Sequence, residues 1–271
     1  MLASTPTSRL HRHLPQETLE NIIDHLHDDQ ETLKECCLAS KSFVIRARKH
    51  IFAVVHFGTQ SDLEAWKKTF PDPSNSPAHY TRALVIRCPE VVTAADATEG
   101  GWIPTFSRLV HLELNSYGLT FSHDYPTSLA PFRKFSPTLK SLFVHAFFLP
   151  GPQVFNLIRS FPLLEDLGLI GSTVNTGHHE TDELPTFASS PTSPALTGFL
   201  DIVIEELSSV VRPLLALQNG LRFRTLHLTW FWEQELHSMV ELVEACSNTL
   251  ESLRIICAIG VFAPPSVQTS V

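Results

Sequence analysis

Apolar positions along the chain follow two periods. From Leu14 to about Phe52 they recur as in a helix: Leu19, Ile22, Ile23 and Leu26 stand at i, i+3, i+4 and i+7, the stripe of an amphipathic helix. Pro15 suits the first turn of that helix. The polar run His27-Asp28-Asp29-Gln30 breaks the stripe. A second short helix carries Leu33, Cys36 and Cys37, and a third runs from about Ser42 to His50 with Phe43, Ala47 and basic residues. Three helices this short make a small bundle, whose stability depends on a partner surface or on the rest of the chain. Residues 1–11, rich in Ser, Thr and Pro, read as a loose tail.

Beyond Ile51 the period shortens. Ile51 to Val55 reads as a strand. Ser61-x-x-Glu64 has the form of a capping box opening a helix with Leu63, Trp66 and Phe70, and Pro71 to Pro77 reads as a loop. A repeated form, L-x-x-L-x-L, then sets in. Leu109-Val-His-Leu112-Glu-Leu114, Leu139-Lys-Ser-Leu142-Phe-Val144, Leu164-Glu-Asp-Leu167-Gly-Leu169, Phe223-Arg-Thr-Leu226-His-Leu228 and Leu250-Glu-Ser-Leu253-Arg-Ile255 are good copies. Thr81-x-x-Leu84-x-Ile86 and Leu196-x-x-Phe199-x-x-Ile202 are degenerate ones. From residue 109 the first positions follow at 30, 25, 32, 27 and 27 residues, a leucine-rich-repeat spacing with loop insertions. Pro137, Pro162 and Pro194 each stand two residues before a first-position leucine, where a fixed φ shapes the turn into the strand. Helical stripes fall between the strands: Val154, Leu157, Ile158 and Phe161; Leu207, Val210, Val211 and Leu214, kinked or split by Pro213; and Leu236, Met239, Val240 and Val243.

A single short parallel strand cannot bury its face, so such units stack into a curved α/β solenoid with strands on the concave face and helices on the convex one. The leucines turn inward and the alternating residues outward. The concave face is therefore expected to display Arg87, His111, Glu113, Asn115, Phe143, His145, Asp166, His227, Thr229 and Arg254, a mixture suited to protein recognition. Trp230-Phe231-Trp232 follows one strand, with Phe231 at the place of an inward aromatic ladder that Tyr117 and Phe147 continue. The expected domains are a bundle over 12–52, a solenoid over 53–262 and a tail over 263–271.

Composition narrows the function. The 36 leucines are mostly absorbed by these two patterns, and a net charge of −8 argues against nucleic-acid binding. Five cysteines, two of them adjacent and none in a C-x-x-C pair, suggest neither a disulfide framework nor a zinc ribbon. With no signal-peptide core, no membrane-length apolar run and no Asn-x-Ser/Thr sequon, the expectation is an intracellular protein without membrane contact. Among the 14 histidines, the densest ligand cluster is His178-His179-Glu180-Thr-Asp182-Glu183. It lies in a Gly/Thr/Ser/Pro-rich stretch without His-Glu-x-x-His spacing and reads as a solvated insertion. Glu99-Gly100-Gly101 is a turn, and no nucleophile elbow, P-loop or dinucleotide fingerprint occurs. No metal, cofactor or catalytic role is expected.

The run Leu14-Pro15-Gln-Glu17-Thr-Leu19-Glu-Asn-Ile22-Ile23-Asp-His-Leu26 resembles the opening of an F-box. Its continuation Leu33-Lys-Glu-Cys36-Cys37-Leu38-Ala39-Ser40-Lys41-Ser42-Phe43, followed by Arg46, Arg48 and Ile51-Phe52, is similar to the remainder. Thr18 replaces a usual aliphatic residue, and Phe43 stands where Trp is frequent. The repeats resemble the divergent leucine-rich half of F-box proteins common in mushroom-forming fungi. The resemblance implies a non-catalytic substrate receptor of a Skp–cullin–F-box ubiquitin ligase in the cytoplasm or nucleus. It implies that Leu14, Pro15, Ile22, Ile23, Leu26, Leu38 and Phe43 dock the Skp-type adaptor. His111, Glu113, Asn115, Phe143, His145, Asp166, His227 and Arg254 would then face a target protein. The alternative is a leucine-rich-repeat scaffold outside any ligase.

Overall fold

The structure, a computed structural model, describes residues 15–116, 129–135, 137–148, 151–172, 194, 196–217, 220–230 and 232–257. The chain divides into two compact units, the first ending at Ala53 and the second starting at Val54.

The first unit contains α1 (Gln16–His25), α2 (Gln30–Ala39) and α3 (Lys41–Ile51). Local chemistry sets their ends. The Asp29 carboxylate accepts from the Thr32 N–H (3.0 Å) to open α2, and the Ser40 hydroxyl accepts from the Ser42 N–H (3.3 Å) to open α3, each satisfying a donor that the first helical turn leaves free. Among the described residues of this unit only Ile23, Leu33 and Ala47 are fully enclosed, with Leu26, Cys36, Cys37, Phe43 and Ile51 packed around them. A polar clamp ties α1 to α3: Asp24 accepts from Arg46 through both oxygens and lies 2.8 Å from His50 Nε2. The hydrogen bonds from Arg46 and then His50 hold the Asp24 carboxyl well below the usual carboxylate range.

The second unit is built on one parallel sheet whose eight strands lie side by side in chain order. These are β1 (Val54–Phe57), β2 (Ala83–Ile86), β3 (His111–Ser116), β4 (Ser141–Phe148), β5 (Asp166–Ser172), β6 (Phe199–Ile204), β7 (Thr225–Trp230) and β8 (Ser252–Cys257). Helices α4 (Gln60–Thr69), α5 (Gly151–Arg159), α6 (Ser208–Leu215) and α7 (Leu236–Cys246) fill four of the connections. Short 3-10 turns fill those between β2 and β4 among the described residues. Parallel neighbours need such crossovers, and this strand order is compatible with a solenoid.

The repeat leucines form the core. Leu84, Leu112, Leu142, Leu167, Leu200 and Leu226 stack in one buried file, and Ile86, Leu114, Val144, Leu169, Ile202 and Leu228 in the next. The helices pack on that side through Val154, Leu157, Ile158, Val211 and Leu242. The first leucine of each copy lies before its strand, where backbone bonds join neighbouring units: Lys140 N–H to Val110 O (2.8 Å), Glu165 N–H to Lys140 O (2.7 Å) and Glu251 N–H to Arg224 O (2.7 Å). Threonine hydroxyls one residue ahead of the leucine repeat the link, from Thr138 to Leu109 O and from Thr249 to Phe223 O.

Five expectations need correction. The first strand starts at Val54, because α3 continues through Ile51. Helix α4 opens two residues before Ser61: Thr59 and Asp62 exchange the capping-box bonds. Helix α6 is not split at Pro213, which lies inside it. In α7 the buried face is Ser238, Met239, Leu242 and Cys246, whereas Leu236 and Val240 are exposed. The fifth concerns β6. Leu196 is buried with φ +41°, and the residues turned inward after it are Leu200, Ile202 and Ile204. That is one position later than in L-x-x-L-x-L. A one-residue shift reverses the face of every side chain in a strand, so Phe199 turns outward. Phe231 lies outside the described residues, while Trp232 beside it is 42% exposed.

Candidate functional site

The outward face of the sheet is built by register. Cross-strand pairing places His56, Val85, Glu113, Phe143, Gly168, Asp201, His227 and Arg254 in one row. Asn115 and His145 are partners in the next row. His111, Ser141 and Asp166 pair across the row on the other side. The eight residues expected to face a target therefore occupy three adjacent rows of one surface.

Rings fill the middle of this face. Phe143 leans across Gly168, where an added Cβ would stand 2.1 Å from Phe143 Cδ1; the missing side chain is what lets the ring lie there. Phe143 stacks on Phe199 (6.4 Å between centroids, 29° between planes) and lies 5.3 Å from the His111 ring. Phe199 meets His227 edge to face at 4.8 Å. The result is a continuous band of rings from β3 to β7.

Acids flank the rings. Asp166 is committed internally, one oxygen accepting from Ser141 Oγ (2.7 Å) and the other from the Phe199 N–H (2.8 Å). It therefore braces β4, β5 and β6 more than it offers itself to a partner. Asn115, buried at 4% exposure, donates through Nδ2 to Glu113 Oε1 (2.7 Å). Burial pushes the Asp201 carboxyl up, against the pull of His227, His145 and Arg254. His145 is pushed down by burial, which outweighs Glu113 and Asp201. Arg254 lies on the edge strand β8 and is exposed.

Phe199 and Asp201 belong to this face although the repeat pattern turned Phe199 inward. Their signal is the alternation in Phe199-Leu-Asp-Ile-Val-Ile, which identifies the buried set only after the extra residue behind Leu196 is recognised.

The helical bundle also leaves apolar side chains in water. Leu38 is 89% exposed, Ile22 47%, and Pro15 lies open at the start of α1. Ile23 is instead 2% exposed within the bundle core, and Leu26 and Phe43 pack against that core. These three residues hold the helices together, while Leu14 lies outside the described residues. Ile45 on α3, not singled out by the sequence pattern, is 64% exposed. Its signal was an isoleucine midway between Phe43 and Ala47, off their helical stripe.

Among the described residues no group of three or more His, Cys, Asp or Glu is placed to hold a metal, and no helix is long and apolar enough to cross a membrane. The His178 cluster lies outside the described residues. No protein-family model and no curated protein sequence matches the chain.

Proposed function

We propose that the chain is the target-recognition subunit of a Skp–cullin–F-box ubiquitin ligase, with the helical bundle on the adaptor and the leucine-rich repeats on the target. The observation that carries this reading is Leu38, a leucine left 89% in water on a bundle with three enclosed core residues. Burying a leucine side chain is worth about 1.5–3 kcal/mol, so a bundle short of core gains from a partner that covers Leu38, Ile22 and Ile45. The F-box resemblance names that partner as a Skp-type adaptor, and apolar anchors on short helices suit a groove.

The repeats bring the target close to the ligase's transferring component and raise its effective concentration, with no bond made or broken by this chain. The test is co-expression with a Skp-type adaptor followed by capture. Wild-type chain is expected to retain the adaptor, and Leu38→Asp or Ile22→Asp to lose it while keeping wild-type circular dichroism. Failure of the wild-type chain to hold any Skp-type adaptor overturns the ligase reading and favours a repeat scaffold.

A further inference from the structure

Strands β3 to β7 contain no lysine or arginine, yet their outward face carries three carboxylates. Asp166 is already satisfied by Ser141 and Phe199. Asp201 accepts no hydrogen bond among the described residues, although it is partly buried. Glu113 receives Asn115 Nδ2 at 2.7 Å, and a ring nitrogen of His111 lies 3.9 Å away. The other end of the same Asn115 amide, Oδ1, is buried and has no partner among the described residues. A buried carbonyl oxygen without a donor is costly, and a partly buried carboxylate without a donor in contact is left under-satisfied as well. The face thus sets two carboxylates, Asp201 with no donor among the described residues and Glu113 with one, around the Phe143–Phe199 stack.

We propose that this face binds an extended protein segment carrying two arginines. One guanidinium lies over the Phe143–Phe199 rings and pairs with Asp201, and the other pairs with Glu113, beside Asn115. Guanidinium has the required properties: it is planar, all donor, stacks on rings and forks onto carboxylates. The ammonium of lysine offers neither the plane nor the fork.

Spacing specifies the segment further. Glu113 on β3 and Asp201 on β6 lie in one row, three strand intervals apart, or about 14 Å at the usual strand separation. Four residues of extended chain span about 13 Å, and residues i and i+4 of such a chain point the same way. Two arginines four residues apart, on a segment crossing the strands, therefore meet both acids.

The inference rests on the reading of this face as the target-binding surface and does not depend on the adaptor. Its probe is a fluorescein-labelled serine peptide with arginines at its second and sixth positions, titrated with the full chain by fluorescence anisotropy at physiological salt. Three comparison peptides have both arginines replaced by citrulline, both replaced by lysine, or the second arginine moved one position so that the pair point to opposite sides. The arginine peptide is expected to bind at least tenfold more tightly than each. Asp201→Asn is expected to weaken it about tenfold and Phe199→Leu several-fold, whereas Glu244→Gln, an exposed acid on α7, leaves it unchanged.

Equal binding of the citrulline peptide overturns the site, because the guanidinium charge then plays no part. Equal binding of the lysine or shifted peptide, or equal losses for Asp201→Asn and Glu244→Gln, overturns it because general attraction to an acidic chain then explains the signal. The citrulline comparison uses wild-type protein, so an unstable variant does not spare the proposal. A chain that captures the adaptor but ignores the arginine peptide refutes this inference alone; the converse refutes the ligase reading alone.

Discussion

Leu226 and Leu253 occupy the same repeat position on neighbouring strands and pair directly in register, but only the first is covered: Leu226 is 0% exposed and Leu253 43%. Truncating each to alanine separates the effect of position from that of residue type. Leu226→Ala removes a fully buried side chain and leaves a closed void, for which a loss of about 3 kcal/mol is typical. Leu253→Ala withdraws methyl groups that are little more than half out of water and leaves a dent open to solvent, so transfer alone predicts about 1 kcal/mol. The gap of about 2 kcal/mol corresponds to ~4–8 °C in Tm for a unit of this size. Urea unfolding by far-UV circular dichroism, with differential scanning calorimetry in parallel, measures it. Equal destabilisation by the two substitutions refutes the reasoning, because the inner face of β8 would then be as well covered in solution as that of β7.

Two further outcomes follow from the contacts. The Asp24 carboxyl is lowered in the folded bundle, so its stabilising contribution is present above the unfolded carboxylate value near 4 and fades as pH falls below that value. Acid titration followed through the α1 and α3 amide resonances is expected to show this loss in wild-type chain, while Asp24→Asn is weakened at neutral pH and lacks that part of the pH dependence. Gly168→Ala places a methyl 2.1 Å from Phe143 Cδ1 and must push the partly exposed ring aside. The strand gains about 0.5–1 kcal/mol from replacing glycine, which offsets part of the lost stacking. Stability should therefore change by less than about 1 kcal/mol while nuclear Overhauser contacts between Phe143 and Phe199 disappear; their survival refutes the packing described.

Where apolar spacing alone decides structure, the sequence was readable. The three bundle helices and the strands bearing Leu112, Leu142, Leu167 and Leu226 follow from period, because each face has one side to bury. The remaining errors arise where something other than period decides. At β6 the left-handed turn at Leu196 inserts a residue, and counting forward from that leucine assigned Phe199 to the core. At α7 the apolar spacing of Leu236 and Val240 marked an inner face, yet the helix turns Leu242 and Cys246 inward. Ile23 fits an adaptor-contact stripe as well as it fits a core, and only burial separates the two. The acceptor-rich outer face was half legible: Glu113, Phe143 and His227 come from alternation, whereas Asp201 requires the β6 register and the freedom at Gly168 requires the ring of a neighbouring strand.

The strictly sequential strand order also shapes how the second unit opens and closes. Each strand pairs only with its immediate neighbours in the chain, about one repeat of roughly 28 residues away, so every loop closed during folding is modest and no distant segment must arrive first. Opening can proceed from an end inward, each unit detaching without disturbing those beyond its neighbour. Protection of backbone amides against solvent exchange should therefore be graded, lowest at the edge strand β8, whose residues are all exposed, and highest at β4 to β6. The Phe143–Phe199 stack lies on those central strands, in the part of the sheet that is last to come undone.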